Sequence, residues 1–328
     1  MNLWKRLLPL ALALTLLAGC APAGDISGED VYTDRVELRE VIIEEEAVAL
    51  ADAPAALNDL LLPKASGTQV KENSRAVVDY SNAKDGYVMV KCSSAGKKLM
   101  VQVFGPSYAK DETKYTYNLN ADEWTTFPLS DGNGGYKVVV YENTSGKSYA
   151  ALLTASFNVT LTDEFAPFLR PNQYVNYAAA PKTIAKAAEL AGGETDPLKL
   201  VEIVYGYVVK NLTYDKKLAA SVKSGYLPVL DDVLEKKTGI CFDYASLMTG
   251  MLRSLGVPCK LVVGHAGTTY HAWINVWSEE TGWVTGAIYF DGSAWQRMDP
   301  TFASSGKESA SIMKYIGNGK NYNPEHLY

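Results

Sequence analysis

Hydrophobic and polar residues alternate in short runs between about residue 75 and residue 161. Segments of Gly, Asp, Asn and Lys separate these runs. A period of two is typical of strands that bury one face, and the intervening residues favour turns. The clearest runs are residues 87–92, 99–104, 136–141 and 157–161. The pattern predicts a small antiparallel β-sandwich, to which we assign residues 68–170.

Helical patterns begin beyond Pro181. Asp196 suits the N-cap and Pro197 the first position of a helix that runs to about residue 210. A later helix is predicted to begin at Cys241 and to end near Gly256. Its apolar residues recur at helical spacing: Ala245, Met248, Leu252 and Leu255.

Strands are predicted again after this helix. Residues 271–277 alternate, so His271, Trp273, Asn275 and Trp277 share one face. Residues 291–293 are typical of a hairpin turn, and the return strand from residue 295 to Asp299 ends before a proline. The fold class is therefore α+β, with residues 171–328 as the second domain.

Cys241, His271 and Asp299 are the residue types of a nucleophilic triad. A helix N-terminus carries about half a positive charge, and with a cationic partner it lowers a thiol pKa from about 8.5 to about 3.5–7.5. Because the thiolate is the reactive species, Cys241 is the candidate nucleophile. His271 would take its proton, and Asp299 would orient the ring and stabilise the imidazolium.

Four separated segments carry a family resemblance. They are G-I-C-F-D-Y-A-S-L from Gly239, R-S-L-G-V-P from Arg253, H-A-W at His271 and D-P-T-F at Asp299. Roughly residues 180–305 resemble the transglutaminase-like superfamily of papain-type Cys-His-Asp enzymes. The resemblance implies a helical part packed on an antiparallel sheet. It also implies acyl transfer at amide carbonyls through a thioester, and it leaves the acceptor open. Our own expectation is that the substrate is a protein or a cell-wall peptide. The superfamily also has inactive members, so a non-catalytic surface adaptor is the alternative.

Three further residues are candidates for roles beside the triad. Tyr214 occupies a place where similar bacterial domains carry an aromatic oxyanion donor, although a loop tyrosine that packs on the surface is equally compatible. Trp273 is a candidate wall of the acyl pocket, or else a half-buried sheet aromatic. His265, which follows a strand over residues 260–264, is a weaker candidate base than His271. Taken singly, a cysteine, a histidine or an aspartate before proline is usually structural. Their order and surroundings favour the triad.

The N-terminus indicates export. Lys5 and Arg6 precede an apolar run over residues 7–17, which suits a signal peptide and is too short to span a bilayer of about 30 Å. Residues 17–20 resemble a bacterial lipobox, so we expect residues 1–19 to be a lipoprotein signal peptide and Cys20 to carry a diacylglycerol. The alternative is ordinary secretion with cleavage at residues 21–23. Residues 20–67 would form a spacer from the membrane.

The numbers of cysteines and histidines and the net charge indicate which ligands and partners the chain is expected to have. Three cysteines remain besides Cys20, and an odd number in an exported chain implies at least one unpaired thiol. A Cys92–Cys259 disulfide is left open. Three histidines and the absence of metal-binding motifs predict no metal and no cofactor. A net charge of -6 argues against nucleic acid. The oligomeric state is not predicted.

Overall fold

The computed structural model describes residues 60–94, 96–111, 113–278, 282–284, 288–290, 295–297 and 322–328. Three expectations therefore lie outside the described residues. These are the signal peptide, the acylated Cys20 and the placement of Asp299. The turn expected at residues 291–293 lies outside them as well.

The N-terminal half is a region of antiparallel strands. They are β1 (Val70–Glu72), β2 (Ala76–Asp79), β3 (Tyr87–Cys92), β4 (Leu99–Phe104), β5 (Lys114–Leu119), β6 (Thr125–Pro128), β7 (Gly134–Ser145) and β8 (Ser148–Val159). One sheet has the order β1-β2-β3-β6 and the other the order β5-β4-β7-β8. The alternation that predicted these strands is visible in β5, where exposed and buried residues follow each other one by one.

The two sheets share a hydrophobic core. Tyr117 of β5 and Phe127 of β6 lie in different sheets, and their ring centroids are 4.8 Å apart. The predicted strands 87–92 and 99–104 are confirmed with the same bounds. One prediction was wrong, since a short helix, α1 (Tyr108–Asp111), occurs in this half, before Pro181. Four residues are too few to leave a periodic pattern in the sequence.

The C-terminal half begins with helices. They are α2 (Pro181–Ala191), α3 (Pro197–Asn211), α4 (Lys216–Ser221), α5 (Leu230–Lys236) and α6 (Cys241–Ser254). The predicted cap of α3 is confirmed, because Asp196 Oδ1 accepts hydrogen bonds from the backbone N–H groups of Leu198 (2.9 Å) and Lys199 (3.2 Å). None of the helices in the described part of the chain has the length and apolar character needed to cross a membrane.

A four-stranded antiparallel sheet packs against α6. Its strands are β11 (Cys259–Ala266), β12 (Thr269–Ser278), β13 (Gly282–Val284) and β16 (Tyr322–Leu327), in the order β13-β12-β11-β16. Ala272, Ile274 and Val276 on one face of β12 join the core that contains Leu247 and Met251 of α6. The α+β class is thus confirmed.

The described part of this half also contains two short strand pairs. The short strands β9 (Thr213–Tyr214) and β10 (Thr238–Gly239) pair in parallel. The strands β14 (Ile288–Phe290) and β15 (Trp295–Arg297) pair antiparallel, which confirms the predicted return strand. The sequence did not predict β16, which pairs with β11 across a bulge between Val263 and Gly264. Gly264 fits there because a Cβ atom would lie 2.1 Å from the carbonyl oxygen of Asn323.

The two halves meet along the outer edge of β5. Three alternate carbonyl oxygens of this strand are hydrogen-bonded to side chains of the C-terminal half. The bonds join Lys114 to His326 (3.2 Å), Thr116 to Tyr174 (3.4 Å) and Asn118 to Gln173 (2.6 Å). An open strand edge is otherwise a site of unwanted pairing, so this contact both covers the edge and joins the halves.

Candidate active site

Cys241 is the first residue of α6, as predicted, and its side chain is buried. Ile240 before it is extended, with φ -98° and ψ 178°. The Asp243 carboxylate caps the helix by accepting a hydrogen bond from the backbone N–H of Ile240 (2.8 Å). Gly239 allows this arrangement, because a Cβ atom there would lie 2.5 Å from Cβ of Asp243. The local sequence therefore fixes where the helix begins and places the thiol at its N-terminus.

His271 lies in β12 opposite Gly264 of β11, and only 2% of its surface is exposed. Cys241 and His271 both line a cavity of about 360 Å³, which we call the Cys241 cavity. The structure thus brings together the predicted nucleophile and the predicted base, which are thirty positions apart in the chain. Their catalytic roles remain predictions, as does that of Asp299.

His265 lies elsewhere. It belongs to β11 itself, whereas the predicted strand ended at residue 264, and it pairs with Tyr270 in the register of the sheet. Its side chain is 39% exposed, and Nδ1 lies 2.7 Å from Oε1 of Glu325. It does not line the Cys241 cavity in the described part of the chain. This position favours a surface role for His265.

Tyr214, the candidate oxyanion donor, lies close to the start of α6. It pairs with Gly239 in the parallel contact between β9 and β10, two residues before Cys241. Tyr214 also lines the Cys241 cavity. Its place is compatible with the predicted role.

Trp273 does not have the place that a pocket wall requires. Its side chain is fully buried and packs with Val262, Ala266 and Tyr322 in a separate cluster. The ring centroids of Trp273 and Tyr322 are 5.2 Å apart. Among the described residues, Trp273 is not part of the lining of the Cys241 cavity. The structure therefore does not place Trp273 in the cavity wall, and its ring is fully buried in the sheet rather than half-buried, as the alternative interpretation expected.

Other aromatic residues form the wall that was assigned to Trp273. Besides Tyr214, they are Tyr174, Tyr226, Phe242, Tyr270 and Tyr328. The ring of Tyr174 lies 5.5 Å from that of Phe242 and 4.5 Å from that of Tyr328. Sequence analysis missed Tyr174 and Tyr328 because their contacts join segments that are far apart in the chain. Phe242 had a local signal, since it follows the nucleophile directly.

The titration of the groups around the cavity reflects burial. Burial raises the pKa of Asp243, and the hydrogen bonds from Ile240 and Tyr226 partly offset that effect. Burial also raises the pKa of Tyr174 to about 12. The pKa of Tyr270 is raised first by burial and then by the charges of Glu325 and Cys241. These tyrosines therefore stay protonated at neutral pH and are able to donate hydrogen bonds.

The two other described cysteines are buried and reduced. Cys92 and Cys259 form no disulfide, so the bond that the sequence left open is not present. Burial raises the pKa of Cys259 to about 11, and burial likewise raises the pKa of Cys92. Neither lines the Cys241 cavity. Within the described residues, no group of three or more His, Cys, Asp or Glu side chains is placed to hold a metal ion.

Comparison with known proteins shows the family of residues 184–300, in the C-terminal half. The family model of the transglutaminase-like superfamily matches residues 184–300, a range that includes Cys241, His271 and Asp299. These residues therefore form a transglutaminase-like domain, which the preceding all-β region accompanies.

Two curated proteins are similar to short stretches of the chain. The chain is 28% identical over 120 residues to a protein-glutamine gamma-glutamyltransferase of Pseudomonas aeruginosa, covering 32% of this chain and 18% of the relative. It is 29% identical over 104 residues to YebA of Bacillus subtilis, an uncharacterised protein, covering 26% of this chain and 14% of the relative. The chain thus matches less than a fifth of the length of either relative.

Solved structures include a similar chain. The periplasmic domain of TgpA from Pseudomonas aeruginosa, bound to ethylmercury, is 18% identical with a TM-score of 0.34. The match covers 74% of this chain and 100% of that chain.

Proposed function

We propose that the protein is a membrane-anchored, extracytoplasmic cysteine acyltransferase or amide hydrolase that acts on protein or cell-wall peptide amides. The observation that carries this proposal is the shared cavity. It contains a cysteine at a helix N-terminus together with a buried histidine, within a transglutaminase-like domain. A helix N-terminus favours a thiolate, and a neighbouring histidine is the usual base for one.

The proposed reaction has two steps. His271 takes the proton of Cys241, and the thiolate attacks the carbonyl carbon of the substrate amide. The C–N bond then breaks, His271 returns the proton to the leaving amine, and a thioester remains on Cys241. Water or a second amine attacks this thioester, gives up a proton to His271 and releases the acyl group. Asp299 would orient His271 throughout these steps.

Oxyanion stabilisation is assigned to the start of α6. Backbone N–H groups at a helix N-terminus are suited to a developing negative charge. Tyr214 is the proposed side-chain donor, because it lies beside Gly239 and lines the same cavity. A single donor of this kind is worth about 100- to 1,000-fold in kcat.

The proposed location rests on the N-terminal sequence. The basic residues, the apolar run and the lipobox that ends at Cys20 are the pattern of an exported lipoprotein. Two acyl chains on Cys20 would be sufficient for stable anchoring. Membrane lipid and an extracytoplasmic peptide are accordingly the proposed partners.

The test is incubation of the chain without residues 1–20 with defined protein, peptide and cell-wall peptide libraries, with and without a small primary amine. Mass spectrometry would identify the products. A product that is heavier by the difference between water and ammonia indicates deamidation of a primary amide, and shorter peptides indicate cleavage. A product that gains the amine and loses ammonia indicates transfer. The Cys241→Ala variant is the control. No product that depends on Cys241 from any library would favour a non-catalytic adaptor instead.

A further inference from the structure

The rim of the Cys241 cavity carries a distinct chemistry. Most of the described lining residues of the cavity are aromatic or apolar. Apart from the proposed Cys241–His271 pair, Lys223 is the one charged side chain among the described lining residues. Lys223 is exposed, and no ion pair joins it to a carboxylate in the described part of the chain. Its ammonium group is therefore available to a ligand.

The segment that carries Lys223 lies against the β region. Gly225 has a φ of +90°, and a Cβ atom there would lie 2.8 Å from Nδ2 of Asn118. Asn118 is the residue of β5 whose carbonyl oxygen accepts the hydrogen bond from Gln173. Since Asn118, Gln173 and Lys223 all line the cavity, the rim is shared by both halves of the chain. It presents two carboxamides and one ammonium group beside an aromatic interior.

A carboxylate is the ligand that such a rim suits. The ammonium of Lys223 supplies charge, and the exposed carboxamide of Asn118 supplies N–H groups of the kind that carboxylates accept. Gln173 contributes less to this site, because its Nε2 already donates to the carbonyl oxygen of Asn118. The aromatic wall that includes Phe242 and Tyr270 instead suits an apolar or aromatic side chain. Tyr270 is 48% exposed, so this wall extends to the surface of the protein.

We propose that the rim around Lys223 recognises a carboxylate of the acyl donor. The preferred substrates are then peptides in which an apolar or aromatic residue carries the reacting carbonyl and an acidic residue precedes it. This specificity rests on the proposed function, since it concerns the donor that reacts with Cys241. It makes Lys223 a specificity-determining residue and gives the β region a direct part in substrate binding.

The test uses peptide chloromethyl ketones, which report on the site without turnover. The thiolate of Cys241 displaces chloride and forms an S–C bond, so the rate of alkylation measures how well each peptide binds. Four probes combine Phe or Ser next to the ketone with Glu or Gln at the preceding position. We expect Phe to react faster than Ser, and Glu to react about 1.4- to 5-fold faster than Gln, the range of an exposed ion pair.

Variants of Lys223 and a matched control test whether the preference for Glu depends on the charge of Lys223. The Glu preference should vanish in Lys223→Gln, persist in Lys223→Arg and reverse in Lys223→Glu. Lys217→Gln is the control, because Lys217 is an exposed lysine of α4 that does not line the cavity. Because ions screen exposed charges, the preference of the wild type should also decline as salt is raised to about 1 M.

The outcomes separate the two proposals. Equal alkylation rates for the Glu and Gln probes, or a Glu preference that persists in Lys223→Gln, would contradict the proposed specificity. Neither result would contradict the role of Cys241 as nucleophile. No alkylation of Cys241 by any probe would overturn the proposed function, and the specificity with it.

Discussion

The hydroxyl of Tyr226 donates a hydrogen bond to Oδ1 of Asp243, with a distance of 2.7 Å between the oxygen atoms. The other oxygen of this carboxylate accepts the backbone N–H of Ile240. Asp243 is fully buried, and Tyr226 lines the Cys241 cavity. One carboxylate therefore holds both the cavity wall and the helix start that presents the thiol.

Replacement of Asp243 should destabilise the protein and misplace Cys241. Asp243→Ala leaves the backbone N–H of Ile240 and the hydroxyl of Tyr226 without their acceptor, at a cost of about 1–3 kcal/mol in the free energy of unfolding. Urea denaturation would measure it. Asp232→Ala is the control, because Asp232 is exposed and forms an ion pair with exposed Lys236, so its loss should change stability by less than about 0.5 kcal/mol. Equal losses in the two variants would contradict this role.

The residues of the proposed triad should differ in their effects. Cys241→Ala and His271→Ala should each lower turnover of an identified substrate by at least about 1,000-fold, because one removes the nucleophile and the other the base. Asp299→Asn should slow turnover with the fold intact. His265→Ala should be mild, because His265 contacts Glu325 outside the cavity.

Steady-state kinetics would check these values, with circular dichroism to confirm that each variant is folded. An inactive His265→Ala variant together with an active His271→Ala variant would show that the base has been assigned to the wrong histidine.

Tyr214→Phe should lower kcat by about 100- to 1,000-fold and leave KM nearly unchanged, because an oxyanion donor acts mainly in the transition state. The comparison variant is Tyr207→Phe, a half-buried tyrosine of α3 that does not line the cavity. If both variants keep full kcat, the donor must be sought elsewhere, beginning with the backbone at the start of α6.

Membrane attachment should depend on Cys20. Cys20→Ser should release the protein from the membrane fraction or block its processing, since the substitution removes the proposed acylated thiol. Fractionation and immunoblotting of cells that express the full chain would show this. Normal processing with unchanged membrane retention would rule out the lipoprotein assignment.

Local patterns in the sequence were sufficient for much of the fold. The cap at Asp196, the helix that begins at Cys241 and the alternation of β12 were all correct, because each depends on residues within one element. The same locality explains why His271 could be preferred over His265. The position of both residues relative to the cavity still required the structure.

Contacts between distant segments could not be predicted in the same way. The strand β16 contains Pro324 and lacks a clear apolar alternation, and it is held by pairing with β11 some sixty residues away. The sequence could not exclude Trp273 as a wall of the acyl pocket. Alternation shows which residues share one face of a strand, but it does not show which other residues cover that face. The contact between Tyr174 and β5 left no periodic pattern either.

The central claim is that Cys241 is held as a reactive thiolate, and its alkylation by iodoacetamide as a function of pH tests this most directly. At pH 6 an unperturbed thiol with a pKa of about 8.5 is under about 1% ionised. Cys92 and Cys259 serve as internal controls, because burial raises the pKa of both. Since their folded state favours the protonated thiol, neither should react until well above pH 8.

Mass spectrometry would give the occupancy of each cysteine on the folded protein without residues 1–20. We predict that Cys241 alone is labelled near pH 6, and that His271→Ala loses this labelling because it removes the cation that stabilises the thiolate. Labelling of Cys241 that rises only above about pH 8, as for a free cysteine, would contradict the account.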